Sequence, residues 1–418
     1  MKKQTQYSSP FFLFIFIAIV AMVNLSCKKK QDDPAVPQKQ LLMTINFTRD
    51  YINPKLNAIV FISDVAGNPL ADTFVAGNLK LLLYSKKTAM PPYQVTIVKW
   101  EPDMHNFLVT MNTWVYVMPG EWALQGNRLI STGDASFSLK NIPTHQGPVL
   151  SSNSGHANLS FATTGVHPVY KSPDDLFVKI NTATGPLYKW TTGMVAGAQM
   201  EVDLATMDTA TRQIITFPMP AQDFNARVYG YHDTDYTADL PVMTDEVLGD
   251  GIAKDNITVS YPQASFVSFH TYMEFIESWT SASTYTYSKY GTIPASFVKT
   301  GAGITHIQPD GSTVRFMTTG SHTITTAKWD FLDAANLAFD WTVYGPDTVT
   351  SFVLPVLPPA MTAMFPNFSL DSLHLRQFEL TGYPAVNTYP AYLDAIFNPL
   401  HPGKLDRLEA SSVKVNVN

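Results

Sequence analysis

The sequence contains almost no cysteine: Cys27 is the single thiol among 418 residues. A chain with one thiol cannot form an internal disulfide, so its stability must come from packed hydrophobic cores. The sequence also has no long basic run after Lys30, and its formal net charge is −6. Nucleic acid requires a dense positive surface, and we therefore exclude it as a partner.

Common catalytic and nucleotide-binding motifs are missing as well. The chain has no Gly-x-Ser-x-Gly, His-Glu-x-x-His, Gly-x-x-x-x-Gly-Lys or Gly-x-Gly-x-x-Gly pattern, which are the signatures of α/β-hydrolases, zinc proteases and phosphate-binding loops. Two acidic residues could still meet in space as they do in glycoside hydrolases, but no pattern selects such a pair. We expect a protein that is not an enzyme.

Only one long apolar run is present, and it lies at the amino terminus. Lys2 and Lys3 precede residues 11–23, which read FFLFIFIAIVAMV. As a helix these residues would rise about 20 Å, which is shorter than the roughly 30 Å hydrocarbon core of a bilayer. The pattern predicts a signal peptide over residues 1–26 and not a membrane-spanning helix.

The residues that follow the apolar run resemble the lipobox of bacterial lipoproteins. Ser26 directly precedes Cys27, although Asn24 stands where that family has a leucine, and Leu25 follows one position later. The resemblance implies that the Cys27 thiol is acylated, and two or three acyl chains would give durable anchoring. The alternative is an ordinary cleaved signal peptide followed by an incidental free thiol.

Residues 27–40 read CKKKQDDPAVPQKQ, which is typical of a solvated tether. The basic and then acidic residues after Cys27 also resemble the surface-export signals of some Gram-negative lipoproteins. We therefore expect an exported protein of the cell envelope that contacts the membrane through a lipid anchor. The outer membrane is the expected location, on its surface or its periplasmic side.

Beyond the tether, alternation of apolar and polar residues with a period of two recurs throughout the chain. In residues 266–275 the side chains of Val267, Phe269, Met273 and Phe275 face one way and those of Ser268, His270, Tyr272 and Glu274 face the other. Such alternation, interrupted by turns such as Asp310-Gly311, predicts an all-β protein of tandem β-sandwich domains, either Ig-like or transthyretin-like. The predicted strands cover residues 43–49, 57–63, 79–84, 93–100, 107–117, 135–139, 176–181, 213–217, 225–231, 256–261, 266–275, 313–318, 339–344, 350–354, 373–380 and 412–417.

Helical patterns are short, and we expect helices only at Asp330–Leu337 and Ala391–Phe397. Breaks in the strand pattern divide the chain into three predicted sandwiches. They cover residues 41–126, 127–262 and 263–418, with a long proline-rich loop near 353–368 in the third.

The first predicted sandwich has a family resemblance of its own. Residues 59–75, IVFISDVAGNPLADTFV, look like the opening hairpin of carboxypeptidase-regulatory-like domains, in which a strand ends in Asp and the turn carries Gly-x-Pro-Leu. Residues 117–124, VMPGEWAL, are similar to the Pro-Gly-x-aromatic closing strand of the same family. The resemblance implies a transthyretin-like sandwich over about 41–126 without enzymatic residues of its own.

An acidic cluster is the strongest candidate for a metal site. Asp233, Asp235 and Asp239 are spaced so that one loop could offer several oxygen ligands to Ca²⁺. The EF-hand pattern fails, because Thr237 and Ala238 stand where Asp or Asn and Gly are required. A solvated acidic loop is the preferred interpretation, with Ca²⁺ as the alternative and no other cofactor expected.

Histidines offer two further candidates. His145, His156 and His167 recur at intervals of eleven residues without the close pair that zinc sites usually contain, so we expect loop histidines without metal. His270 and Glu274 lie on one face of a predicted strand, roughly 13 Å apart, which is too far for general-base pairing. We expect them to decorate a polar surface.

Aromatic residues provide the most suggestive candidate for ligand contact. The stretch WTSASTYTYSKY places aromatic rings among Ser and Thr, and flat rings stack on the apolar faces of sugars and peptides. The alternative is that these rings cover the edge of a core. The candidate ligand contacts are Trp279, Tyr285, Tyr287 and Tyr290, whereas Trp190, Trp329 and Trp341 are predicted core residues.

Three short motifs resemble the Asp-Ser/Thr-aliphatic sites that some Gram-negative exoproteins O-glycosylate. They would place glycans on Thr209, Thr348 and Ser372 if those hydroxyls are exposed. Taken together, the sequence predicts a lipid-anchored binding or adhesion module for a glycan or a protein. The alternative is a structural subunit of a fimbria-like or envelope assembly that associates through exposed sheet edges.

Overall fold

The structure is a computed structural model that describes residues 39–85, 87–101, 108–126, 130–232, 242–277, 283–332, 338–398, 400 and 407–417. These residues form an all-β protein of tandem β-sandwiches with two short helices, α1 (Pro359–Met364) and α2 (Tyr389–Phe397). Neither helix, and no other helix in the described ranges, has the length and apolar character needed to cross a membrane.

A single twelve-stranded sheet organises the molecule. Neighbouring strands in it are antiparallel except β25 and β6, which pair in parallel between residues 338–344 and 108–114. In spatial order the strands are β18 (Val242–Leu248), β17 (Asp223–Tyr231), β20 (Ser268–Ile276), β21 (Ser283–Gly291), β28 (Ala410–Asn416), β27 (His374–Gly382), β24 (Ile324–Leu332), β25 (Ala338–Pro346), β6 (Leu108–Val117), β5 (Tyr93–Trp100), β2 (Asn57–Asp64) and β3 (Pro69–Val75).

Five smaller sheets complete the fold. Two of them contain a parallel pair, β1 with β7 and β8 with β14. In spatial order the sheets are β4 (Lys80–Ser85), β1 (Gln40–Thr48) and β7 (Gly120–Gln125); β10 (His156–Ser160), β9 (Gln146–Asn153), β12 (Asp174–Thr182), β13 (Gly185–Met194) and β15 (Asp208–Thr209); β11 (Thr164–Val169), β8 (Gly133–Lys140) and β14 (Gln199–Asp203); β16 (Thr211–Ala221) and β19 (Lys254–Tyr261); and β22 (Gly303–Asp310), β23 (Thr313–Thr319) and β26 (Ser351–Val353).

Four of the five hydrophobic clusters in the described chain define four layered units, and the fifth surrounds Tyr389 and Tyr392 of helix α2. We call the four units the first sandwich (β1–β7), the second (β8–β15), the third (β16–β21) and the fourth (β22–β28). Strand pairing runs across the predicted boundaries near residues 127 and 263, because β17 pairs with β20 and β6 pairs with β25. The three predicted segments therefore share one continuous sheet.

Strand β2 is buried on both faces. Ala58, Val60 and Ile62 pack against the β4-β1-β7 sheet, while Ile59 and Phe61 on the opposite face pack against the β22-β23-β26 sheet. A strand with two covered faces has no position for a polar residue, which explains the continuous apolar run AIVFI. The β2–β3 turn that follows requires Gly67, whose φ is +86°.

The first sandwich packs the β4-β1-β7 sheet against strands β2, β5 and β6 of the large sheet. The β2–β3 hairpin closes through Asp64, whose Oδ1 accepts hydrogen bonds from the backbone N–H groups of Ala66 and Asn68, both at 2.9 Å. The predicted closing strand is β7, which lies parallel to β1. Membership of the carboxypeptidase-regulatory-like family stays a prediction, because the layers support only the sandwich architecture.

Two local predictions were wrong in part. Asp330–Leu332, predicted to begin a helix, end strand β24, where Asp330 pairs with Asp340 across the sheet; residues 333–337 lie outside the described ranges. The predicted loop near 353–368 contains helix α1, whose Met361 packs into the core of the fourth sandwich. The prediction of a helix over Ala391–Phe397 is confirmed, since α2 covers it and the Thr388 hydroxyl caps its first turn.

Candidate binding face

One face of the twelve-stranded sheet is polar over its middle strands. Strands β20, β21, β28, β27, β24 and β25 send alternate side chains into the cores, as Met273, Tyr287 and Trp341 show, and the intervening side chains to the opposite side. With two residues of β17, we call this opposite side the polar face. Its residues are Arg227, Tyr229, His270, Tyr272, Glu274, Thr284, Thr286, Ser288, Tyr290, Ser412, Lys414, Asn416, Gln377, Glu379, Thr381, Thr326, Lys328, Asp330, Asp340, Thr342 and Tyr344.

Three aromatic rings form a row across one end of the polar face. Tyr229, His270 and Tyr290 are direct neighbours on β17, β20 and β21. The His270 and Tyr290 rings lie parallel, with their centroids 4.0 Å apart and an interplanar angle of 5°, and the Tyr229 ring follows at 6.0 Å. All three side chains are half-buried, so the row is a fixed element of the surface.

The imidazole of His270 is held neutral in this row. Burial lowers the pKa of His270 to about 4, and its Nε2 lies 2.8 Å from the Ser288 hydroxyl. Because Tyr290 and Tyr229 lie against its two faces, the imidazole presents its edge to the polar face.

A second row crosses the sheet beside the aromatic one. The Tyr272 hydroxyl donates a hydrogen bond to Oε2 of Glu274 at 3.1 Å, and the ammonium of Lys414 reaches the same oxygen at 3.4 Å. Burial, and then the nearby Glu274 carboxylate, raise the pKa of Tyr272. The tyrosine therefore stays protonated and fixes the carboxylate, leaving Oε1 of Glu274 to accept from a ligand.

Hydroxyl groups continue this network onto the next strands. Ser412 donates to Oε1 of Glu379 at 2.8 Å, so the Thr286 hydroxyl, 2.6 Å away, must donate to Ser412. Side chains that already bond to one another lose little rotamer freedom on binding, which is a form of preorganisation.

A groove lies at the other end of the polar face. It has a volume of about 640 Å³ and is lined by side chains of both charges together with amides and hydroxyls: Lys328, Asp330, Asp340, Arg376, Gln377, Asn416, Thr110 and Thr342. Nε of Arg376 bonds both carboxylate oxygens of Asp330, at 2.8 and 2.7 Å. The groove thus presents hydrogen-bond donors and acceptors in near balance.

Two acids of this groove, Asp330 and Asp340, are direct cross-strand neighbours. Partial burial, and then the charge of Asp330, raise the pKa of Asp340. Asp330 is committed to Arg376 through both oxygens, which leaves it poorly placed to attack a substrate or to accept a proton.

The aromatic residues singled out in the sequence divide between the two faces. Tyr287 is 1% exposed and donates a hydrogen bond to Oε1 of Glu409 at 2.7 Å, while Tyr285 stacks on Phe275 at 5.4 Å beside the core. Of the candidates, the structure places Tyr290 alone on the polar face, and Trp279 lies outside the described residues. Tyr285 and Tyr287 do not form a solvent-facing platform.

The three tryptophans predicted to lie in cores differ in how deeply they are buried. Trp329 and Trp341 are buried at 3% and 0% exposure, which confirms their placement in a core. Trp190 is only partly buried and packs against the core of the third sandwich, with its ring 4.7 Å from His232.

The structure brings together two of the three evenly spaced histidines. Nδ1 of His156 lies 2.8 Å from Nδ1 of His167, whose Nε2 lies 2.9 Å from the Ser151 hydroxyl, while His145 contacts the Pro143 carbonyl instead. Burial, and then His156, lower the pKa of His167 to about 4. Within the described ranges no three His, Cys, Asp or Glu side chains are grouped closely enough to hold a metal ion.

Several predicted sites remain predictions. Cys27 and the calcium candidates Asp233, Asp235 and Asp239 lie outside the described residues. Thr209 and Thr348 are exposed, whereas Ser372 is half-buried and donates to the Ser369 carbonyl at 2.6 Å. The two threonines are therefore the more accessible of the three glycosylation candidates.

Sequence reasoning missed most of the polar face. It identified His270, Tyr272 and Glu274 as one surface row, and the structure places all three on the polar face. It did not connect them with β28, β27 or β24, although SSVKVN and HLRQFELTG show the same alternation of polar and apolar residues. The sequence shows the alternation within each strand, but it does not show which strands pair when they lie more than 100 residues apart.

Comparisons with known proteins do not assign the chain to a family. No protein-family model matches the chain, and no curated protein matches it either.

Proposed function

We propose that this chain is a lipid-anchored protein of the cell envelope whose polar face binds an extended glycan. The observation that supports the proposal is the polar face over the middle strands of the large sheet, which carries the aromatic row at one end and the groove at the other, with Thr326, Thr381 and Ser412 buried between them. Its side chains combine parallel aromatic rings with charged, amide and hydroxyl groups.

A glycan fits this surface better than a protein does. A stable protein interface needs a central apolar cluster with anchoring side chains, whereas the residues that define the polar face are polar or aromatic. A glycan offers many hydroxyls and small apolar patches, which match hydrogen-bonding side chains and stacked rings. The binding is non-catalytic in this proposal.

The envelope location rests on the amino terminus. A signal peptide with a lipobox-like Ser26-Cys27 followed by a charged tether supports acylation and places the sandwiches outside the cytoplasm. Replacing Cys27 by serine should release the protein from the membrane fraction, and unchanged membrane association would contradict the anchor.

Retention on immobilised polysaccharides tests the binding face. The detergent-solubilised full-length protein should bind one class of polysaccharide, and the double variant Tyr229→Ala/Tyr290→Ala should bind at least about 10-fold more weakly, because two stacking contacts are lost. Tyr84→Ala is the matched control, since Tyr84 is 43% exposed on the separate β4-β1-β7 sheet. Equal retention of the double variant and the wild type would refute this face as the site.

A structural subunit is the second candidate function. Strand β3 lies at the edge of the large sheet, paired only with β2 in the sheet order, and Phe74 on it is 56% exposed. An open edge with an exposed aromatic residue can pair with another chain. Concentration-dependent oligomers that disappear in Phe74→Lys would support this candidate, and a monomer at all concentrations would exclude it.

A further inference from the structure

The second and third sandwiches meet at a buried pair of opposite charges. On strand β12, Leu176, Val178 and Ile180 fill the core of the second sandwich, whereas Phe177 and Lys179 point the other way, toward the third. The ammonium of Lys179 contacts Oδ1 of Asp245 on strand β18 directly. The contact joins the five-stranded sheet to the edge of the twelve-stranded one.

Both side chains are removed from water, at 11% exposure for Lys179 and 4% for Asp245. Desolvation makes a buried ion pair costly, because the interior of a protein disfavours both charges. Burial also raises the pKa of Asp245, in the direction of the neutral carboxylic acid. The neutral amine is the nucleophilic form of lysine, and the carboxylic acid is the electrophilic form of aspartate.

The surroundings polarise the carboxyl group for attack. The backbone N–H of Ser260 donates to Oδ2 of Asp245 at 2.7 Å, where it would stabilise negative charge on that oxygen in a tetrahedral intermediate. Strands β12 and β18 hold Nζ of Lys179 in contact with Oδ1 of Asp245, so little further cost of bringing the two groups together remains.

We propose that Lys179 and Asp245 are joined by an amide bond, an isopeptide crosslink between the second and third sandwiches. Nζ of Lys179 attacks Cγ of Asp245 and forms the C–N bond. The C–O bond to Oδ1 then breaks, and Oδ1 leaves as water with one proton from the amine and one from the carboxylic acid. No oxidant, reductant or other reactant is consumed.

The water has a way out. A groove of about 200 Å³ opens beside Lys179 and is lined by Leu150, Leu159, Leu248 and Glu246 among others. The groove gives the water formed in the reaction a path to solvent. This inference is independent of the proposed ligand.

Other lysine–carboxylate contacts in the chain serve as internal controls. Lys140 contacts Glu201 with both side chains more than half exposed, and Lys299 contacts Glu277 with each 25% exposed. Water solvates these groups and keeps them charged, so the amine is not free to attack. We expect both pairs to remain uncrosslinked.

Peptide mapping of the purified full-length protein tests the crosslink. Trypsin does not cleave after an acylated lysine, so digestion should give one branched peptide joining residues 172–189 to residues 228–254, lighter than the two peptides together by one water molecule. The linear peptide 172–179 should be missing, while cleavage after Lys140 and Lys299 should proceed normally. Recovery of the linear peptides 172–179 and 228–254 in full yield would overturn the proposal.

The variant Lys179→Arg supplies a second measurement. Arginine keeps the positive charge beside Asp245 but is not a nucleophile, so its digest should contain only linear peptides. Its melting temperature should fall, because wild-type unfolding leaves a closed loop between residues 179 and 245 in the crosslinked chain. A branched peptide in this variant would contradict Lys179 as the reacting group.

Discussion

Strand β2 near one end of the large sheet is apolar on both faces, whereas β20, β28 and β24 in its middle are apolar on one face and polar on the other. At the first end, two further sheets cover the strand. In the middle, the inner face packs into the cores, while the polar face is buried in part and opens at the groove. The difference separates residues that hold the fold together from residues that are free to meet a ligand.

This comparison also shows how burial is encoded. The β2 sequence NAIVFISD has no period-two pattern because both of its faces need apolar residues, while the β20 sequence SFHTYMEFI alternates because one face is wet. Substitutions in the two regions should therefore have different effects. Those in the doubly covered strand should lower the stability of the fold, and those on the polar face of the middle strands should weaken ligand binding.

The largest effect is expected for Phe61→Ala. Phe61 is fully buried in the doubly covered strand β2, and removal of its ring leaves a cavity that should cost about 4 kcal/mol. Tyr229→Ala on the polar face should cost about 1 kcal/mol or less. Urea unfolding of both variants measures the difference, and equal losses would break the comparison.

Thr113→Val should have the next largest effect on stability. The buried Thr113 hydroxyl accepts from Nε1 of Trp341 at 2.9 Å and lies 2.8 Å from the Thr96 hydroxyl. Valine leaves the indole N–H without an acceptor, at a cost of about 2 kcal/mol. Thr110→Val on the same strand lines the groove instead and should change the unfolding free energy by about 0.5 kcal/mol or less. A neutral Thr113→Val would show that this network contributes little.

The pH dependence of stability should report the burial of His270 in the aromatic row. In the folded protein the pKa of His270 is about 4, whereas in the unfolded chain it is about 6.5. Below pH 6.5 the unfolded state binds a proton that the folded state excludes, so stability falls as pH drops toward 4, by on the order of 1–2 kcal/mol.

His270→Gln should make this acid limb shallower, with His167, whose pKa is also lowered to about 4, supplying part of what remains, while His145→Gln, in an exposed loop, should leave it unchanged. Thermal melts between pH 7 and pH 4 measure the effect. A His270→Gln protein with the wild-type acid limb would show that the burial of this ring is not coupled to folding.

The smallest effect on stability is expected for Arg376→Ala. Arg376 is exposed at the rim of the groove, although it binds both oxygens of Asp330, and exposed ion pairs contribute little to folding. Its unfolding midpoint should match the wild type, while polysaccharide retention should weaken. A clear loss of stability with unchanged retention would assign Arg376 to the fold and not to the ligand.

The sequence predicted strands well where a single strand's pattern was sufficient. Residues 93–100 match β5, and the all-β, tandem-sandwich class is correct. It could not predict which face of a two-sided aromatic strand turns inward: in STYTYSKYG the rings at 285 and 287 face the core and the ring at 290 faces out. That choice depends on β28, which lies more than 100 residues away and pairs beside it.

The helix predicted from Asp330 fails for a related reason. Local residues favoured a helix, but Asp330–Leu332 complete a hydrogen-bonded register with Ala338–Asp340, and tertiary pairing overrides propensity. The candidate groove was equally unreadable, since its lining comes from β24, β25, β27, β28 and β6. Only a parallel pairing between residues near 110 and residues near 340 brings these strands together.

Hydroxyl-radical footprinting of the full-length protein with and without a retained polysaccharide tests the binding face most directly. The account predicts that the polysaccharide protects Tyr229, Tyr272 and Tyr290 from oxidation while Tyr84, on the separate β4-β1-β7 sheet, stays as reactive as before. Protection of Tyr84 with unchanged reactivity at Tyr229 and Tyr290 would contradict it.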